Sequence, residues 1–350
     1  MNFYCSLLPS ALPKTLGLKT FTSKSGWHIS LDEGWEITEQ YAFKGIESNW
    51  CRINFRDNFS IETNELRDFP LYGHDSCVTN INNQLDDIPI DGTVSWSDNK
   101  MQISWNKDFF PTISTQEKLN FSQSSDLIFE TLCESVESFA SKNKKKLYVS
   151  SHGGTDTLTM RGVFDYLKIP YELFGLHGTK TSYGALHDKL ANTYWGFAQV
   201  KEIPNSVCVT GFNGDEWLLR NPYYVHILLS NRGIDITEQF ENKADCYMKS
   251  HFDKQYKHKC SSKPDFTAHK VQTMMCNDYQ IWHINETYFF SGFKNKKILG
   301  LLEADSDTMI NQVTDAVLTK DIIERFNPAL LRYIDPVKNL NQPEYFWKPN

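Results

Sequence analysis

The chain has 350 residues, enough to hold two domains and to bury large cores. Its formal net charge of −7 argues against a general nucleic-acid surface, which needs a basic face. Eight dispersed cysteines show no pairing pattern and no stretch approaches a membrane span, so the expectation is reduced thiols, a cytoplasmic compartment and no membrane partner.

Lys14 is the only charge in Met1–Gly17, and Pro9, Ser10 and Pro13 interrupt its apolar run, so no signal peptide is expected there. Residues 1–115 carry short aromatic β-type runs among scattered turn residues. They predict a mostly antiparallel β layer, with Asp87–Gly92 as the clearest turn. Asp126–Ala140 places apolar residues at 128, 132, 136 and 139, the spacing of an amphipathic helix. The basic cluster Lys142–Lys146 that follows reads as a solvated face.

Residues 147–157 (LYVSSHGGTDT) hold the most informative motif. Leu147–Val149 is a short strand, and Gly153–Gly154 is a turn that leaves backbone N–H groups bare. Leu158, Met160, Val163, Phe164 and Leu167 give the next segment a helix with an apolar face. Pro170 ends it, and Tyr171–Leu176 reads as a second strand. A strand, glycine turn, helix and strand in this order form half of a doubly wound sheet, with an anion site at the helix N-terminus. Asp156 repels phosphate but suits a Mg2+ ion that bridges to phosphate oxygens. The loop is neither a Gly-Lys-Ser/Thr phosphate loop nor a GxGxxG dinucleotide turn.

A second strand, Val207–Val209, runs into Thr210, Gly211, Phe212, Asn213, Gly214, Asp215 and Glu216. By itself that is a surface turn; after the first loop it is a second strand–turn–acid unit. Downstream lie an aromatic-rich stretch, Asn285–Leu299, and a leucine-rich segment with a proline turn, Asp321–Lys338. Cys246, His251, His258 and Cys260 could be proposed as a zinc site, but their spacing matches no usual zinc module.

The first loop resembles the PP-loop of ATP pyrophosphatases, Ser-Gly-Gly-x-Asp-Ser, with His152, Gly153, Gly154, Thr155, Asp156 and Thr157 in those places. The second resembles the Ser-Gly-x-Gly-x-Asp-Glu loop of the asparagine synthetase family, with Asn213 where glycine is usual. The resemblance implies an α/β fold: a doubly wound parallel-sheet synthetase domain over residues 120–345. Before it, residues 1–115 would form a shortened, mainly antiparallel, Ntn-hydrolase-like β domain. Residues 52–73 echo that family's β-hairpin ending in Pro70–Leu71–Tyr72. Residue 2 is Asn2 where glutamine-dependent members place the nucleophilic Cys, and the nearest thiol is Cys5. The implied N-terminal domain is therefore a glutaminase remnant that shapes a substrate site.

The resemblance further implies ATP and Mg2+ as cofactors, with Asp156 and Asp215 as metal ligands. His152, Gly153, Gly154, Thr155 and Thr157 would cradle pyrophosphate, and Leu176 and Gly211 would meet adenosine. Lys338 and Glu286 are the candidate catalytic residues. Phe212 stands where the family has a glutamate that handles the amine, so a small-molecule or peptide carboxylate other than aspartate is expected. The expected activity is an AMP-forming carbon–nitrogen ligase that joins this carboxylate to an amine without hydrolysing glutamine. The competing readings are a non-catalytic ATP/Mg2+-binding scaffold and a PP-loop enzyme acting on a nucleotide or nucleic acid.

Overall fold

A computed structural model describes residues 3–8, 19–32, 34–46, 49–64, 71–79, 86–87, 92–105, 116–150, 154–174, 205–211, 214–220, 222–234, 283–284 and 287–334. It is a mixed α/β chain with two antiparallel sheets and a smaller, mostly parallel one.

Among the described residues, twelve strands lie between residues 3 and 105. One sheet contains β1 (Phe3–Ser6), β2 (Lys19–Thr22), β3 (His28–Leu31), β8 (Tyr72–His74), β9 (Cys77–Thr79) and β10 (Asp86–Asp87), in the order β10-β8-β9-β1-β3-β2. The other contains β4 (Glu36–Ile37), β5 (Tyr41–Ile46), β6 (Asn49–Asn54), β7 (Ser60–Thr63), β11 (Gly92–Ser97) and β12 (Lys100–Trp105), in the order β12-β11-β7-β6-β5-β4. Every pairing in both is antiparallel. The β11–β12 hairpin turns on Asp98 and Asn99, both at positive φ (52° and 59°), the primed geometry that matches strand twist. Within the echoed segment 52–73, β6 and β7 pair as a hairpin that ends at Thr63. Tyr72 instead opens β8 in the other sheet.

Strand alternation sets the burial. In β5, Ala42, Lys44 and Ile46 point inward. Lys44 is tolerated there because Asp32 pairs with it at 3.1 Å and also accepts from Trp35 Nε1 at 2.9 Å. Trp27 stacks on Phe59 with ring centroids 3.8 Å apart, and Trp96 meets both edge-on. Cys5 lies within β1, wholly buried, and burial pushes its thiol well above the usual range. It is a core side chain, not a presented nucleophile.

The second half begins with α1 (Phe121–Lys142), opened by a capping box between Asn120 and Gln123. Ile128, Leu132, Val136 and Phe139, the residues of the expected apolar stripe, are all buried. Next come β13 (Lys146–Ser150), α2 (Thr155–Tyr166), β14 (Glu172–Phe174), β15 (Ser206–Val209), α3 (Gly214–Trp217) and α4 (Pro222–Asn231). A hairpin of β16 (His283–Ile284) and β17 (Thr287–Phe290) precedes a 3₁₀ segment, Lys296–Glu303. The aromatic-rich stretch is thus a strand, as its β-branched and aromatic residues favour, and Phe290 stacks on Phe139 of α1 at 3.8 Å.

Two helices, α5 (Ser306–Asp315) and α6 (Val317–Phe326), close the described chain with a 3₁₀ segment, Pro328–Tyr333. The leucine-rich tail therefore divides: Asp321 lies inside α6, and Asn327 caps the 3₁₀ turn before Leu330. Asn327 also donates to Asp165 of α2 at 2.7 Å, which docks this end of the chain on the helix after the first loop.

The third sheet has the order β14-β13-β15-β17-β16, parallel from β14 through β17. The chain moves from β13 to its neighbour β14 on one side, then crosses to β15 on the other. The β13/β15 boundary is therefore a topological switch point. Buried apolar side chains of this part and of the antiparallel sheets join one continuous cluster.

Candidate functional site

Both sequence motifs emerge at that boundary. The first loop leaves β13, and Gly154 is the N-cap of α2 in extended conformation (φ −69°, ψ 137°) with no side-chain cap. The first-turn N–H groups of a 12-residue helix are thereby left to other acceptors. Thr155, Asp156 and Thr157 form that first turn, with Thr155 buried and the other two half-buried.

The second loop leaves β15 at Thr210, whose N–H donates to Phe290 O of β17 at 2.9 Å. Gly211 and Gly214 close a turn, with Gly214 N–H on Gly211 O at 3.2 Å. Their lack of side chains is a packing requirement. A Cβ on Gly211 would fall 2.5 Å from Thr157 N and 2.6 Å from Asp156 C. One on Gly214 would fall 2.5 Å from Asp156 Oδ1. The two loops thus touch through glycine, and the contact sets Asp156 beside Asp215.

The residue that joins them is Arg220. Helix α3 is a single turn that ends in a Schellman motif: Arg220 N–H reaches back to Asp215 O at 2.8 Å, and Leu219 takes the left-handed position at φ 55°. A leucine there costs roughly 1–2 kcal/mol relative to ordinary helical backbone. The turn sends the Arg220 side chain back between the loops. Its guanidinium donates to Asp156 Oδ2 at 2.6 Å, to Asp215 Oδ1 and to Thr155 Oγ1. Arg220 is 2% exposed, whereas the Asp156 and Asp215 side chains are 17% and 31% exposed. The cation therefore lies on the protein side of the pair, and Asp215 is the more exposed of the two carboxylates.

Electrostatics follow from that burial. Burial pushes the Asp156 carboxyl well above the usual carboxylate range; Arg220 opposes this, and the Asp215 and Glu216 carboxylates add to it. Burial also works against the Arg220 charge, but Asp156 and Asp215 outweigh it and hold the guanidinium protonated. Asp156 Oδ1 is buried with no hydrogen-bond partner among the described residues. Glu216, 4% exposed, lies close enough to act on both Asp156 and Arg220.

Carboxylate oxygens are the donor type that Mg2+ takes, and Asp156 Oδ1 has no partner among the described residues. Among the described residues, however, no group of three or more His, Cys, Asp or Glu side chains is arranged to hold a metal ion. Asp156 and Asp215 would supply at most two ligands to such an ion, leaving phosphate oxygens and water to complete an octahedral shell.

Gln312 of α5 braces the site from behind. Its Nε2 donates to Leu218 O at 2.7 Å and to Thr319 Oγ1 at 2.8 Å, and its Oε1 accepts from Leu318 N–H at 2.9 Å. Gln312→Leu should lower stability by about 1–3 kcal/mol for each buried group it orphans, measured by urea denaturation.

The structure brings together Gly154, Thr155, Asp156, Thr157, Gly211 and Asp215 of the expected site. His152, Gly153, Leu176, Phe212, Glu286 and Lys338 lie outside the described residues, as do Cys246, His251, His258 and Cys260. Arg220 is the residue that the motifs did not single out. Its only sequence signal is a cation directly after the apolar run Trp217–Leu219.

No protein-family model matches the chain, and no curated protein matches it significantly. Among the described residues, no helix is long and apolar enough to cross a membrane.

Proposed function

We propose that this chain is an ATP-dependent, AMP-forming amide ligase of the asparagine synthetase-like, PP-loop type. The observation that carries the reading is the meeting of Asp156 and Asp215, from two glycine loops, at the switch point of a parallel sheet. Adenylation needs neutralised charge at the pyrophosphate and a fixed carboxylate more than it needs covalent help.

In this reading a substrate carboxylate oxygen attacks the α-phosphorus of ATP and pyrophosphate leaves. An amine then attacks the acyl carbon, loses a proton and displaces AMP. Gly154 and the first turn of α2 donate N–H groups to the pyrophosphate. Asp156 and Asp215 would hold Mg2+, which when bound would offset the charge of the leaving phosphates. Gly211 meets adenosine together with Leu176, while Lys338 and Glu286 act on the α-phosphate and the amine. Residues 1–115 shape the acyl side of the site, glutamine is not hydrolysed, and the reaction belongs to the cytoplasm. The substrates are a small-molecule or peptide carboxylate and an amine.

Incubation with ATP, Mg2+ and a metabolite extract should release pyrophosphate, and Asp156→Ala should abolish the release. Failure to bind ATP with Mg2+, with Asp156→Ala indistinguishable from the parent, contradicts the reading. A second reading, a nucleotide-binding protein without turnover, is favoured by Arg220 already partnering both aspartates. It predicts ATP binding with no pyrophosphate released in any extract.

A further inference from the structure

The paired aspartates carry a cation of the protein's own. Arg220 NH2 donates to Asp156 Oδ2 and to Asp215 Oδ1 at once, so it takes one oxygen from each carboxylate. Its NH1 donates to Thr155 Oγ1, and the guanidinium therefore spans both loops. The only other oxygen of Asp156, Oδ1, is buried against Gly214.

This arrangement decides how a metal ion can arrive. Mg2+ and its relatives surrender hydration water reluctantly and do so for strongly anionic oxygen sets. A guanidinium bound to both carboxylates already offsets part of their charge. A polyphosphate brings several more negative charges and arrives with its metal already attached.

We propose that Arg220 is the resident counter-ion of Asp156 and Asp215, so that the protein takes up a divalent metal ion only together with a polyphosphate. The inference rests on the reading of the two loops as one metal–polyphosphate site. It assigns Arg220 a positioning role: it fixes both carboxylates and keeps bulk metal ions off them until the phosphate supplies the missing charge. The Schellman turn at Leu219, strained for a side chain at φ 55°, is the device that aims it.

Titrating the full chain with Mn2+ alone, and then with Mn2+ and inorganic pyrophosphate, tests this; the free Mn2+ signal in electron paramagnetic resonance reports uptake. The parent should take up Mn2+ only when pyrophosphate is present. Arg220→Gln should bind Mn2+ alone at least about tenfold more tightly than the parent, because a contact charge is worth that much or more. Arg220→Lys keeps the charge but not the fork, so its affinity for Mn2+ alone should lie between those of the parent and Arg220→Gln. Equal Mn2+ affinity in the parent and Arg220→Gln overturns the proposal. So does Mn2+ uptake by the parent without pyrophosphate that Asp156→Asn removes, a result that holds even if Arg220→Gln does not fold. Failure of the parent to take up Mn2+ with pyrophosphate contradicts the polyphosphate reading itself, and the titration of Arg220→Gln with Mn2+ alone is read independently of it.

Discussion

Arg220→Met is expected to lower the free energy of unfolding by about 3–5 kcal/mol, read from urea denaturation at neutral pH. Methionine fills much of the arginine stem but removes the charge that both carboxylates face. A buried ion pair is a weak net stabiliser against an apolar replacement of all its members, yet breaking it by removing one partner is costly. Here the loss also orphans Thr155 Oγ1 at the start of α2. The same logic sets a control. Adding Asp156→Asn and Asp215→Asn to Arg220→Met removes the uncompensated charge and should recover more than half of the lost stability. A loss below about 1 kcal/mol in the single variant would mean that Arg220 is not the counter-ion.

The second large effect is expected at Gly214. Valine there places Cβ 2.5 Å from Asp156 Oδ1, so the Asp156 carboxylate or the loop that carries it must shift. A displacement of about 1 Å between groups that act together can cost on the order of 100-fold in rate. Gly214→Val should therefore reduce pyrophosphate release by about that factor while α1, α5 and α6, which lie away from the contact, keep the helical circular dichroism. Gly211→Ala should act in the same direction, because its clash is with the backbone of Asp156 and Thr157 and cannot be relieved by a rotamer change. Unchanged release in Gly214→Val would separate the loop contact from the chemistry.

The parts of this site that the sequence made legible are those governed by local chemistry. Leu147–Val149 and Val207–Val209 read as strands because each is a β-type apolar run stopped by a glycine turn, and both pair in parallel. The α1 stripe was legible because its apolar spacing follows the helical period, and all four of its residues are buried. Arg220 was not legible, for a backbone reason. Asp-Glu-Trp-Leu-Leu-Arg reads as a helix that continues outward, and nothing in a leucine announces a left-handed turn. The reversal exists because tertiary contacts enforce it: Gln312 holds Leu218 O, and two aspartates await the guanidinium. The aromatic stretch carried no strand expectation from sequence; it becomes β17 by pairing with β15.

The role of the N-terminal half rests on the same distinction. Its antiparallel character was legible from short aromatic runs and turn residues. Its two-sheet arrangement was not, because β1 pairs with β3 and β9, and the second partner lies far along the chain. Cys5 illustrates the consequence: a thiol near the start of the chain sits in the middle of a sheet, out of reach of any substrate.

The central claim is that two loops form one polyphosphate site through Asp156 and Asp215. Calorimetric titration of the parent, Asp156→Asn and Asp215→Asn with ATP in the presence of Mg2+ tests it most directly. The account predicts saturable binding by the parent and a loss of at least about tenfold in affinity in each variant, since each removes one charged metal ligand. Equal affinity in all three proteins, or no binding by the parent, would contradict it.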